Sequence, residues 1–274
     1  MRATKSLLIG KACLPLLVLP LALLGAGCTV DAGSQASPVV QRHKFSNSTQ
    51  TVPAETVQVE GGLEVNPGDG FDVQAGVRWG ASPSTEFVLT ADPYRKLDDT
   101  DGSGVGDVRL GVRHRLWDET QDQPAVAVEF SGKIPVADAD EGLGSGEPDL
   151  FLALAADRNY REAFFTAYTQ LGFLGDPGSD GSDVALLAAV AAQRPLMQRV
   201  QAFGEVAGLY SPDADLSALY LTAGGLVALA PAFTLDAGLS VGIGDDAESL
   251  LLRVGVTRSI GRPRAFPSSQ NASR

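Results

Sequence analysis

The chain has 274 residues, 44% of them hydrophobic and 20% charged, with a net charge of −12. An acidic chain of this kind is not built to hold nucleic acid. No apolar run beyond the N-terminus approaches the ~18 to 20 residues of a spanning helix, which excludes a helical membrane bundle, while the length admits one large β domain or two smaller ones.

Residues 1–28 read as an export signal: Arg2, Lys5 and Lys11 form the positive start and Leu14 to Leu24 the apolar stretch. The stretch ends in Leu24-Gly25-Ala26-Gly27-Cys28, which resembles a bacterial lipobox, although Gly25 stands where Leu is usual. Lipidation of Cys28 competes with ordinary cleavage, for instance after Ala36. Cys13 leaves with the signal, so Cys28 has no intramolecular disulfide partner. Residues 29–54 are rich in Ser, Gln and Thr without periodicity and are expected to form a flexible periplasmic leader.

From residue 57 the sequence alternates. Val57, Val59, Gly61, Leu63 and Val65 share one parity, and Gln58, Glu60, Gly62 and Glu64 the other. After Asn66-Pro67-Gly68-Asp69-Gly70 the pattern resumes, with Phe71, Val73, Ala75, Val77 and Trp79 against Asp72, Gln74, Gly76 and Arg78. A period of two with turn chemistry between the runs is a β-hairpin. Further strands are expected near 85–92, 106–117, 125–135, 149–156, 163–173, 183–193, 199–210, 216–228, 233–242 and 249–258. The segment 184–192 is nearly all Ala, Leu and Val, so its faces cannot be told apart, and a buried helix is its alternative. About twelve strands of ~9 to 11 residues fit an all-β, antiparallel up-and-down transmembrane barrel, over residues 55–258, with a C-terminal tail at 259–274.

The connections fall into two sets. Asn66–Gly70, Pro93–Val105, Val136–Glu147, Leu174–Ser182, Ser211–Asp215 and Ile243–Glu248 are acidic and several are long. Ala81–Ser84, Asp118–Pro124, Asp157–Glu162, Arg194–Gln198 and Leu229–Ala232 are mostly shorter. Long outer loops and short periplasmic turns are the asymmetry of outer-membrane barrels, and they put both termini in the periplasm. Trp79, Trp117, Tyr160, Tyr210 and Phe233 stand near strand ends, where an aromatic girdle belongs.

The charged parity must face inward, because a cation facing lipid costs roughly 2 to 4 kcal/mol at the midplane. It places Glu60, Glu64, Asp72, Arg78, Glu86, Asp107, Arg109, Arg113, Arg115, Glu129, Lys133, Asp149, Glu205, Asp236 and Arg253 in the lumen. Arg109, Arg113 and Arg115 form a basic ladder, which Glu60, Glu64 and Glu129 are expected to oppose. These charges either pair across the lumen and plug it, or line a wet passage and set its selectivity.

Little points to catalysis. The two histidines are His43, in the leader, and His114, on the outward parity, and no Ser or Asn stands at catalytic spacing from His114. Asp99, Asp101, Ser103 and Asp107 echo a calcium loop but lack its closing Glu. No metal or cofactor is expected.

Gly104-Val105-Gly106-Asp107-Val108-Arg109-Leu110-Gly111-Val112-Arg113-His114-Arg115-Leu116 resembles the Gly-x-Gly-Asp strand opening of an outer-membrane barrel family named for the meta-pathway of phenol degradation. The similarity continues at Phe130 to Pro135, Gly142-Leu143-Gly144-Ser145-Gly146 and Asp149. It resumes at Gly224-Gly225, Leu235-Asp236-Ala237-Gly238 and Leu252 to Thr257. Val136-Ala137 departs from the Ser or Thr and Gly that the family carries after the proline. The resemblance implies a transporter of the outer membrane, with aromatic catabolism as an implied context. The expected function is passive passage of small, aromatic or otherwise hydrophobic solutes. A non-conducting surface barrel is the alternative, and a lipid-modifying barrel enzyme the third. Expected partners are outer-membrane lipids and lipopolysaccharide, the barrel assembly machinery and a small-molecule solute.

Overall fold

A computed structural model describes residues 38–261 apart from 43, 100, 101, 178–180, 213–215 and 245. The export signal, Cys28, His43, Asp101 and most of the C-terminal tail therefore lie outside the described residues. The chain forms strands β1 (Val57–Asn66), β2 (Gly70–Ser82), β3 (Thr85–Leu97), β4 (Ser103–Gly104), β5 (Val108–Trp117), β6 (Ala125–Ile134) and β7 (Asp149–Tyr160). These are followed by β8 (Ala163–Gly175), β9 (Ser182–Met197), β10 (Val200–Ser211), β11 (Leu216–Ala230), β12 (Phe233–Ile243) and β13 (Leu250–Ile260). β4 has two residues and folds back onto Arg95 and Lys96. The other twelve are antiparallel neighbours in chain order, and β1 pairs with both β2 and β13, so the sheet closes on itself. Closure leaves no unpaired edge, which a lipid-embedded sheet cannot tolerate.

The alternation explains each strand. In β7, Asp149, Phe151, Ala153, Ala155 and Asp157 are buried, whereas Leu150, Leu152 and Leu154 between them are about half exposed. Rows of exposed Leu, Val and Phe recur on every long strand, a surface that water would not tolerate at this size and that hydrocarbon favours. The segment 184–192 belongs to β9 and is not a helix. Its Val184, Leu186 and Val190 face outward and its Ala185, Ala189 and Ala191 inward. Both faces are apolar because both meet apolar surroundings. The first hairpin turn closes with the Asp69 amide donating to the Asn66 carbonyl at 3.0 Å, and Gly68 and Gly70 take φ of 106° and 134°, values that L side chains resist.

Three boundaries differ from expectation. β3 runs on to Leu97, past Pro93, with an irregular register opposite Val73 and Ala75, so the loop expected at Pro93–Val105 is shorter. Asp107 precedes β5 instead of lying within it: it caps the β6–β7 loop, accepting the Val136 and Ala137 amides at 3.0 and 3.1 Å. Asp157, expected in a turn, is an inward residue of β7.

Candidate functional site: a lumen crossed by the N-terminal segment

The interior has two walls. β12, β13 and β1 to β6 bring charged and polar side chains inward. β7 to β11 bring mostly Ala, Phe, Tyr and Leu, with Ala153, Ala155, Tyr168, Ala189, Ala207, Ala218 and Tyr220 in one buried cluster.

On the charged wall, Glu86 of β3 is fully buried and takes two cations: Arg78 Nη2 at 2.6 Å and Arg113 Nη1 at 2.9 Å. Arg78 also reaches Glu60 at 3.4 Å, and Arg113 pairs with Glu129. Glu64 pairs with Arg253 across the β1–β13 seam. Near the long-loop end, Asp72 holds Arg95 at 2.7 Å, and Lys133 lies between Asp149 at 2.8 Å and Asp107 at 3.6 Å. These side chains lie on the inner side of the barrel, and their pairing does not follow the expected opposition. Of the three ladder arginines only Arg113 meets one of the three named glutamates. Arg115 lies at the short-turn rim, bonded to Asp118 at 2.7 Å and to the Pro83 carbonyl. Arg109 stacks its guanidinium 4.0 Å from the Phe151 ring centroid. His114 faces outward, its Nδ1 2.9 Å from the Thr85 hydroxyl.

The largest departure is the segment preceding β1. A flexible leader was expected over 29–54. Its described part, 38–42 and 44–54, is instead inserted into the lumen, and the reason is chemical: its backbone and side chains satisfy the inward charges. The Val39 amide donates to Gln58 Oε1 at 2.8 Å, and its carbonyl accepts from Arg78 at 2.5 Å. Arg42 pairs with Asp236 of β12 at 2.6 Å. The Phe45 and Ser46 amides donate to the two oxygens of Glu205 at 2.8 and 2.9 Å. Asn47 reaches Glu129, and both the amide and the hydroxyl of Thr49 donate to Asp157 at 2.6 Å. The Val52 amide donates to Glu86 at 2.7 Å, returning the chain to the short-turn end and the start of β1.

An irregular backbone inside a barrel must find such partners, since an unpaired buried amide costs roughly 1 to 3 kcal/mol. Apolar side chains of the segment take the other wall: Phe45 lies 4.7 Å from Tyr220, ring to ring, and Val40 packs with Phe203 and Leu226. The Arg42 guanidinium passes between Gly62 and Gly255, which face each other across the seam. A Cβ on either glycine would come within 1.9 Å of it. Burial pushes the Lys44 ammonium below its ordinary value, and the nearby Glu205 and Asp157 only partly offset this.

Space remains around the segment. A cavity of about 260 Å³ lies between it and the charged wall, lined by Arg42, Arg109, Thr90 and Ser131 among others. A second, of about 410 Å³, adjoins it toward the long loops, sharing Thr90, Ala91, Asp92 and Arg109. Toward the short-turn end a third, of about 460 Å³, lies against Pro38, Lys44 and Gln50. Among the described residues no group of three or more His, Cys, Asp or Glu is placed to hold a metal.

The family described as "Putative MetA-pathway of phenol degradation" matches residues 34–159, a stretch that takes in the inserted segment and almost all of β1 to β7. An outer membrane channel from Pseudomonas putida F1 superposes with a TM-score of 0.65 at 11% identity, covering 79% of this chain and 100% of that one. The chain is similar to that family over the matched stretch, and its fold is that of an outer-membrane β-barrel. The KdgM porin (TM-score 0.55, 7% identity, 74% of this chain and 99% of that) shares the fold. So does the NanC porin (0.54, 10%, 74% and 98%). No curated protein matches the chain.

The luminal segment was missed because it has no period. One signal was available. Glu205 stands on a strand whose neighbours, β9 and β11, carry no inward cation beside it, and a buried carboxylate needs a partner.

Proposed function

We propose that the protein is a channel of the outer membrane for small solutes, aromatic or otherwise hydrophobic ones included, whose passage is narrowed by residues 38–54. The observation that carries this reading is the continuity of space along the charged wall: two adjoining cavities share four lining residues, the first lying beside the segment and the second reaching toward the long loops. Similarity to a channel and two porins supports it. Charged walls attract ions of opposite sign and set selectivity, while an apolar wall favours a solute with a hydrophobic body as it leaves water. No catalytic step is part of this reading.

The dense pairing of lumen charges favours a second reading, a non-conducting barrel closed by its own ion pairs. Planar-bilayer recordings of the refolded protein and of a variant lacking residues 38–50 separate the two. A channel narrowed by the segment gives small unitary currents that rise several-fold on deletion. Silence from both proteins, with the barrel folded, supports the non-conducting reading.

A further inference from the structure

We infer that the 260 Å³ cavity beside Arg109 is a binding site for a small organic monocarboxylate with a compact apolar body. The proposal deepens the channel reading by naming a solute class, and rests on it for biological sense, though its chemistry stands on the cavity alone.

Among the described residues Arg109 joins none of the ion pairs that organise the rest of the lumen. Its guanidinium carbon lies over the Phe151 ring, 4.0 Å from the centroid, and a cation–π contact of this kind uses no N–H group, so these stay available for an acceptor. One step along the barrel, Gly111, Ser131 and Phe151 stand in register across β5, β6 and β7. The Ser131 side chain is buried, 2% exposed, and its hydroxyl has no hydrogen-bond partner. Gly111 leaves open the space beside it, where a Cβ would sit only 3.0 Å from that of Ser131. Arg42 enters the same cavity from the luminal segment. Its Nη2 is tied to Asp236, but its buried Nε also lacks a partner.

Each of these groups can donate, and the group that satisfies several donors at once is a carboxylate. The charge of the lining agrees. Four arginines (42, 78, 109 and 113) line the cavity; Asp236 engages Arg42, and Glu60, Glu86 and Glu129 engage Arg78 and Arg113, which leaves Arg109 as the lining cation with no carboxylate of its own among the described residues. Asp92, which also lines the cavity, already has its own arginine in Arg95, at 3.5 Å. The volume excludes a bare inorganic ion as the best fit, since a water's share is about 30 Å³ and the cavity exceeds it many times. Ala75, Val88 and Ala91 supply an apolar side for the body of the ligand.

Calorimetric titration of the refolded full-length protein with benzoate, benzamide and acetate tests the site. Benzoate binds saturably, whereas benzamide, which lacks the charge, and acetate, which lacks the body, bind at least tenfold more weakly. Arg109→Gln lowers benzoate affinity tenfold or more and Ser131→Ala three- to tenfold, while Arg115→Gln, at the rim, leaves it unchanged. Equal binding of benzamide and benzoate overturns the proposal. So does unaltered benzoate affinity in Arg109→Gln, or absence of saturable benzoate binding by the folded protein. Heat-modifiable gel mobility reports folding, and if Arg109→Gln does not fold, the Ser131→Ala titration decides. Benzoate binding by a protein that carries no current sinks the channel reading and leaves the site standing; current without binding does the reverse.

Discussion

On β12, β13 and β1 to β6 the inward acids are held by arginines and lysines of the same wall or, for Asp236, by Arg42 of the segment. On β7 to β11 inward positions are mostly small or aromatic, and two acids of that wall, Asp157 and Glu205, receive amides of the luminal segment without a cation from the wall, whereas Glu86 of the first wall takes the Val52 amide in addition to its two arginines. The contrast separates two jobs. Ion pairs brace the first wall from strand to strand. On the second wall shape does the bracing, which leaves its carboxylates to hold a piece of irregular chain. The segment needs both: carboxylates for its N–H groups, and an apolar face for Val40 and Phe45.

The sharpest way to break this comparison is Arg113→Ala. Arg113 is buried and links Glu86, Glu129 and Gln41, so its loss strands acids in the interior, at a cost of about 3 to 5 kcal/mol. The midpoint of urea unfolding in detergent measures it, and a negligible shift would mean that the first wall does not depend on its pairs. Glu205→Ala acts on the other wall. It orphans the amides of Phe45 and Ser46, each worth about 1 to 3 kcal/mol. Protease is then expected to cut within 38–50 while the barrel keeps its heat-modifiable mobility. If barrel and segment loosen together, the two jobs are not separable.

Ala207→Leu tests shape alone. Ala207 has no exposure, and overpacking there costs about 1 to 3 kcal/mol, with no change in ion selectivity. Lys44 gives the smallest effect. Its folded value lies below the ordinary 10.5, so its burial penalty is fully present below the lowered value and fades as pH climbs to 10.5. Protease protection of the segment should therefore improve slightly over that alkaline window, and Lys44→Met should abolish the trend.

Strand number and parity were legible because both are written in a period of two. Trp79, Trp117, Tyr160 and Tyr210 are exposed near strand ends, as girdle residues would be. β9 was blurred for a physical reason, since lipid lies on one side of it and the apolar wall on the other. The pairing pattern was not legible, because parity says which face a side chain takes but not its height. Arg113 and Arg115 share a parity, yet one is buried deep against Glu86 and the other reaches the rim. The course of residues 38–54 was least legible of all: a chain held through its amides by carboxylates from several strands needs no pattern of its own.

Gly62 belongs to β1 and Gly255 to β13, the first and last strands, and they become neighbours only when the cylinder closes. The seat that receives Arg42 thus exists only where the two ends of the sheet have met. The strap's anchors at Glu205, Asp157 and Glu86 lie on strands away from this junction. A seated Arg42 therefore certifies a completed seam, which none of those three anchors can do.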